Sequence, residues 1–570
     1  MRRAFKPYPF TAGHCEAELP SLRDGADVRR RPVVVAGGGP VGLCTALGLA
    51  NHGVPVVVLE ADDSVCIGSR AICISRRSLE IIERLGALPG FLAHGLPWAG
   101  GRSFYRETEV LRFEMAQDQN QKLPPMINIA QYRIEQLLLE RAMQRPELID
   151  IRWQTRLTAL EAGAHGVRLS VDTPRGAYAI DADWLVAADG GRSLVRDALD
   201  LKLHGTSYEG RYVIVDILMH SARPTERLAY FDPPCNPGST VLVHKQPDGV
   251  WRIDYQLRDG EDPDEATRFE NVEPRVESLL AMMGETAAWS PVWIGIYKAN
   301  ALTLERYHHG RVLFAGDAAH LLPIFGVRGA NSGIDDADNL AWKLAFVAKG
   351  LAAPTLLDTY SDERVAAAHE NLRQGSKSTE FMAPPSFAFE LMRTAVLGLA
   401  ARHPGLRPLI NPRQTSAITY AASSLNLADR DFFAAGPVPG AVVPECPLTV
   451  LGAGARRSGH VSDLLGFGFA ALRFGDEASP PHEWLALEAQ LARRGVLFQV
   501  LPICRNAVHA GNRTCAWDHS RRLFPMFGAE IGTLYLVRPD GHVLARWHHA
   551  MPGDVLGAIE SVLERGATGA

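Results

Sequence analysis

The chain has no apolar run long enough to cross a membrane as a helix, so no membrane partner is expected. No two of its eight cysteines stand in C-x-x-C spacing, and none forms a zinc-like pattern with histidine. No metal is expected. Cys15, Cys44, Cys66, Cys73, Cys235, Cys446, Cys504 and Cys515 read as reduced, mostly structural thiols of a cytoplasmic protein. Net charge is small, −5 over 570 residues, and the basic residues are scattered, which argues against a nucleic-acid partner. The N-terminal stretch is charged and lacks the apolar core of a secretory signal, so residues 1–30 read as an extended arm. There are no internal repeats and no long low-complexity tract. The length itself implies two or three domains with large cores.

Three separated segments carry the chemistry. The first, VVVAGGGPVGLCTALGLANHGVPVVVLE, reads as buried strand, turn, helix and second strand. In its G-x-G-x-x-G turn, Gly37 permits the bend, Gly39 admits a pyrophosphate close to the backbone, and Gly42 lets the helix pack on the sheet. The helix, from about Pro40 to His52, aims free N–H groups and its positive dipole end at that phosphate. Glu60 ends the second strand, about 20 residues beyond the turn, where an acid suits a ribose hydroxyl. That favours FAD or NAD over NADP. The second segment is LVAADGGRSLVR, with Asp189 and Gly190. The third is GRVLFAGDAAHLLPIFGVRGANSGIDDADNLAWKL, with Gly316 and Asp317.

The expected fold class is α/β. A Rossmann-like FAD domain spans 31–207 and 298–433, interrupted by an antiparallel substrate-binding sheet at 208–297. A Pro/Gly-rich linker occupies 434–447, and a smaller α/β unit fills 448–570. Helices are expected around Ser78, Ile81, Ile82 and Leu85, with Gly86 as the stop, and from Gln131 onward. STVLVHKQPDGVWRIDYQL signals a hairpin turning at Pro247-Asp248-Gly249, and TLYLVRPDGHVLARW another at Pro539-Asp540-Gly541.

With these segments in this order, residues 32–430 resemble the single-component FAD-dependent aromatic hydroxylases, the p-hydroxybenzoate and phenol hydroxylase superfamily. The C-terminal part resembles the thioredoxin-like domain of the phenol and 3-(3-hydroxyphenyl)propionate hydroxylase branch. The resemblance implies bound FAD, NADH or NADPH as a transient co-substrate, dioxygen, and a small aromatic substrate of aromatic-compound catabolism. It leaves a homodimer open. It implies that Gly37, Gly39, Gly42 and Glu60 bind the ADP part and that Arg70 reaches the phosphates and flavin. It further implies that Gln131 contacts the cofactor and that Asp189 and Gly190 serve FAD and NAD(P)H. Gly316 and Asp317 match the motif whose aspartate holds the ribityl chain. Pro323, Gly326, Gly329, Ala330 and Asn331 match the loop that lines the flavin and opens a helix.

The loop departs from the family pattern, with Ile324 and Val327 where a proline and a glycine usually stand. Without C-x-x-C, thiol exchange by the last domain is not expected. His320 reads as structural. No catalytic base is identified: Tyr255 and His244 stand on the hairpin, and the spacing leaves open which sheet face each occupies. Trp289 and Trp293 lack the spacing of a halogenase motif, and no proline follows Ile294. Two other classes stay open: a flavoprotein of this fold that inserts no oxygen, and a non-catalytic scaffold.

Overall fold

The computed structural model describes residues 3–68, 71–258, 260–323, 325–410, 414–452, 455–508 and 512–564. Arg70 and Ile324 lie outside them. Five parallel strands form the heart of the first domain. Their order is Val312–Phe314, Tyr178–Ala187, Arg31–Ala36, Val56–Leu59, Ile149–Arg152. Val33, Val34 and Val35 are fully buried, as a strand covered on both faces requires. The first half of Tyr178–Ala187 also pairs antiparallel with Gly166–Asp172, which pairs with Arg156–Gly163. Helices form where the apolar spacing places them, at Pro40–Asn51 and Gln131–Ala142. Ser75 caps the helix Arg76–Arg84 through the Ser78 N–H. The long helices Gly329–Ala348, Leu356–Met382 and Phe387–Ala400 follow the third segment.

A second sheet of eight strands stands over the C-terminal edge of the first. It contains His204–Met219, Val250–Gln256, Thr240–Lys245, Arg227–Phe231 and Trp289–Thr303. It also recruits Gly100–Tyr105 and Thr108–Glu114, from within the segment assigned above to the FAD domain, and Trp289–Thr303 runs past residue 297. The sheet thus draws on strands outside residues 208–297. Arg227–Phe231 pairs in parallel with a strand more than 120 residues earlier, and local patterning carries no signal of such pairing. Helix Phe269–Met282 packs on one face through Val272, Val276 and Leu279, against Val213, Val215, Trp251, Ile253 and Tyr255.

The C-terminal unit is thioredoxin-like. Phe469–Gly475, helix His482–Arg493 and the parallel strand Phe498–Cys504 precede the hairpin Leu534–Val537/Val543–Trp547 and helix Pro552–Leu563. The N-terminal arm is extended and docked. Ala26 pairs with Ala179, and Phe10 stacks on Tyr132 with ring centroids 4.6 Å apart. Tyr8 donates to Asp216 at 2.5 Å. Among the described residues no helix is long and apolar enough to cross a membrane.

Candidate active site

The three segments meet at the carboxyl ends of adjacent parallel strands, where open α/β sheets bind ligands. Ala187 stands in register with both Ala36 and Phe314. The first turn packs directly on the second segment: a Cβ on Gly37, whose φ is +103°, would lie 2.4 Å from the Ala188 carbonyl oxygen. A Cβ on Gly42 would lie 1.9 Å from the Gly37 carbonyl oxygen, so the helix can start this close only with glycine there. Val41, in that helix's first turn, touches the third segment. Its Cγ2 would be 2.8 Å from a Cβ on Gly316. Gly37, Gly39, Pro40, Gly42, Asp189, Gly190 and Gly316 are thus brought together.

The cradle fits a dinucleotide. Cβ atoms built on Gly39, Gly190 and Gly329 would meet nothing within 4 Å, so space lies over the backbone at each of these turns. Helix Pro40–Asn51 has Pro40 at its start, no side-chain cap and no acid in its first turn, which leaves N–H groups for an anion. Asp189 accepts from the Val195 N–H at 3.2 Å, while among the described residues no hydrogen bond reaches its buried Oδ1. Burial raises its pKa against the pull of Ser193 and the backbone N–H groups. Asp317 is exposed between buried neighbours Gly316 and Ala318. Glu60 accepts from the Gly38 N–H at 2.7 Å and the Asp62 N–H at 2.9 Å. Burial raises its pKa, and those N–H groups oppose the rise. Beside it opens a cleft of about 660 Å³, lined by Ala61–Ile67, Gln154, Arg156 and Asp172–Pro174.

Other sequence-identified residues act on loops. Gln131 accepts from the Ala71 N–H at 3.2 Å and donates to Glu135, which accepts from the Cys66 N–H at 2.7 Å. Together they hold the backbone at Cys66 and Ala71. Asn331 ties the loop of Pro323, Gly326, Gly329 and Ala330 to strand Cys73–Ser75. It accepts from the Ser75 N–H at 2.8 Å and donates to the Cys73 carbonyl at 3.1 Å. Val327, where the family pattern has glycine, sits at φ +59°, a strained conformation for a β-branched residue. His320 is fully buried behind the site, on Asp336 at 2.7 Å, as a structural role requires.

The second sheet turns a polar face toward this loop. Asp216, Arg252, His244 and Arg227 stand opposite one another across four strands. Arg252 clamps Asp216 with bonds of 2.8 and 2.7 Å. On the same face, Tyr212 packs edge-on to Phe325 of the loop, and Trp293 lies against Gly68. His244 belongs to this face, with its pKa driven down by burial and by Arg227 and Arg252. Tyr255 does not: strand alternation buries its ring on the opposite face, under helix Phe269–Met282, and it is withdrawn as a catalytic candidate.

One residue on this face escaped the sequence reading. Asp254 is 8 % exposed, and among the described residues no hydrogen bond or ion pair reaches its carboxyl group. Burial pushes its pKa up to about 7, with Asp216 adding to the rise and Arg252 and Arg227 opposing it. A carboxyl group so placed exchanges a proton near neutral pH. The only sequence signal was the alternation in WRIDYQ, which sets Asp254 beside Arg252 and away from Tyr255.

Residues 30–375 match the family model described as FAD binding domain. The chain belongs to that family. Its cofactor is FAD. A curated relative from Klebsiella pneumoniae (strain 342), "3-(3-hydroxy-phenyl)propionate/3-hydroxycinnamic acid hydroxylase", is 28% identical over 539 residues, covering 90% of this chain and 91% of that one. Solved structures share the fold over most of the chain. The flavin-dependent monooxygenase PieE, solved with FAD and substrate, superposes with a TM-score of 0.77 at 24% identity, covering 94% of this chain and 100% of that one. Aklavinone-11 hydroxylase, solved with FAD and aklavinone, gives 0.73 at 24% identity, covering 94% and 99%.

Proposed function

We propose that this chain is an FAD-dependent monooxygenase that hydroxylates a phenolic or similarly activated aromatic ring, using NADH or NADPH and dioxygen. One observation carries the reading: the buried Asp254 carboxyl group, with its pKa pushed up to about 7, stands on the sheet face that meets the loop opening helix Gly329–Ala348. The FAD supplies the redox chemistry and oxygen activation. The chain's own residues bind, orient and move a proton. Asp254 takes the phenolic proton, which makes the ring a stronger nucleophile, and the Asp216–Arg252 pair fixes its strand. The sheet and loop exclude water between them. Gly37, Gly39, Gly42 and Glu60 hold the ADP part, with Asp189, Gly316 and Asp317 further along the cofactor. The hydroxylase name of the Klebsiella relative supports this reading.

The finer setting is a cytoplasmic enzyme that forms a homodimer. Phe387, Leu391 and Leu399 stand exposed on helix Phe387–Ala400, an apolar face suited to a partner copy. The test is a screen of phenols, hydroxybenzoates and hydroxyphenylpropionates for stimulated NAD(P)H oxidation, scored as hydroxylated product against hydrogen peroxide. Stoichiometric product supports the reading. Peroxide alone with every ring supports a flavoprotein that inserts no oxygen.

A further inference from the structure

The thioredoxin-like domain has no C-x-x-C motif, yet its hairpin enters the first domain as a row of buried ionisable groups. Arg538, Asp540 and His542, around the Pro539-Asp540-Gly541 turn, are each 4 % exposed or less. Arg538 grips both oxygens of Glu363, at 2.6 and 2.9 Å, and Lys343 adds a third bond at 2.7 Å. Asp540 accepts from the Trp342 Nε1 at 3.1 Å, and its carbonyl accepts from Arg77 at 2.9 Å. The His542 ring stacks on Tyr420, with centroids 4.5 Å apart.

From there the contacts run to the FAD motif. The Tyr420 hydroxyl accepts from Arg364 at 2.9 Å, and the Arg364 Nε donates to Asp336 at 2.6 Å. The second Asp336 oxygen accepts from the Gly316 N–H at 2.9 Å. Burial would raise the Asp336 pKa, but Arg364, His320 and the Gly316 N–H outweigh it and hold the carboxyl at about 2. Glu363 and Arg364 are neighbours on helix Leu356–Met382, so the hairpin grips one and reaches the other through Tyr420.

The apolar contact of Trp342 and Phe346 with Phe469 already covers the interface. Buried charges cost desolvation that apolar packing avoids, and what they add is one fixed geometry. We propose that the C-terminal domain positions the Gly316–Asp317 turn, and with it the FAD, through the relay His542–Tyr420–Arg364–Asp336. The proposal rests on the FAD reading of that turn. Tyr420 and His542 are positioning residues.

The test uses the full-length chain and titrates FAD into apoprotein, following flavin fluorescence and the visible absorption band, with melting temperature measured alongside. Tyr420→Phe removes one hydroxyl group, and His542→Ala removes the stacked ring. Both should raise the FAD dissociation constant by about two- to thirtyfold, the span of coupling through packed networks, and should alter the band shape. His542→Phe keeps the stack and should bind FAD nearly as the parent does. Phe346→Leu loosens the apolar part of the interface and should lower the melting temperature while leaving FAD affinity alone. Unchanged FAD affinity in both Tyr420→Phe and His542→Ala would overturn the proposal. So would an equal loss in Phe346→Leu at matched melting temperature. A parent chain that binds no FAD would overturn the FAD reading itself, and the proposal with it.

Discussion

Replacing Asp254 with asparagine tests the most specific chemical statement above. Asparagine keeps the shape and removes the charge. In the unfolded chain this carboxyl group titrates at the ordinary 3.8, and in the fold burial pushes it up to about 7. The sign follows from proton binding: between those values the native state holds a proton that the unfolded state has released. Stability is therefore lost as pH rises through that window. Each pKa unit is worth about 1.36 kcal/mol. From pH 5 to pH 8 the native state loses about two pKa units of that advantage before its own carboxyl ionises, so the parent should be destabilised by roughly 2–3 kcal/mol over that interval. Asp254→Asn escapes the loss. Thermal or urea denaturation of both chains at pH 5 and pH 8, each with FAD saturating, gives the double difference. The variant should gain on the parent as pH rises, and its hydroxylation rate should lose the limb that titrates near pH 7. An offset between the two chains that is equal at both pH values would refute the assignment of a raised pKa. A pH–rate profile unchanged in shape would refute Asp254 as the base.

Asp317→Ala should weaken FAD binding by about 1–3 kcal/mol, the cost of a lost acceptor whose partner stays buried, and equilibrium dialysis at unchanged apoprotein stability checks it. Glu60→Gln should also weaken FAD binding, by about 1–2 kcal/mol, because the amide cannot accept at both oxygens from the Gly38 and Asp62 N–H groups. Little change is expected in the rate of flavin oxidation once FAD is bound. Cys504 and Cys515, both buried, changed together to serine should leave turnover intact, and a large loss with normal folding and FAD content would show that these thiols take part in the chemistry. Val327→Gly should raise the melting temperature by relieving a strain of about 1–3 kcal/mol, less the entropy that glycine costs.

The cofactor cradle was legible in the sequence because each of its parts is local. A buried valine strand, three spaced glycines and a terminal acid lie within about 30 residues, and every one of those constraints acts through neighbours in the chain. The polar face of the second sheet was not legible, because it is made by register between distant strands. Arg227, His244, Arg252 and Asp216 form one row only after four strands pair, and the same pairing sends Tyr255 to the far side of the sheet. Nothing in HKQPDGVWRIDYQL says which parity faces the first domain until Tyr212 meets Phe325 and Trp293 meets Gly68. The same limit explains Asp336. In the sequence it is one acid in the run Asp335, Asp336, Asp338. In the fold it alone touches the Gly316 N–H, because the first turns of helix Gly329–Ala348 pass behind the Gly316–Asp317 turn. Motifs mark where a chain touches its cofactor. The groups that hold those motifs in place come from helices and hairpins far away in sequence, and here they include a hairpin more than 200 residues downstream of the turn it supports.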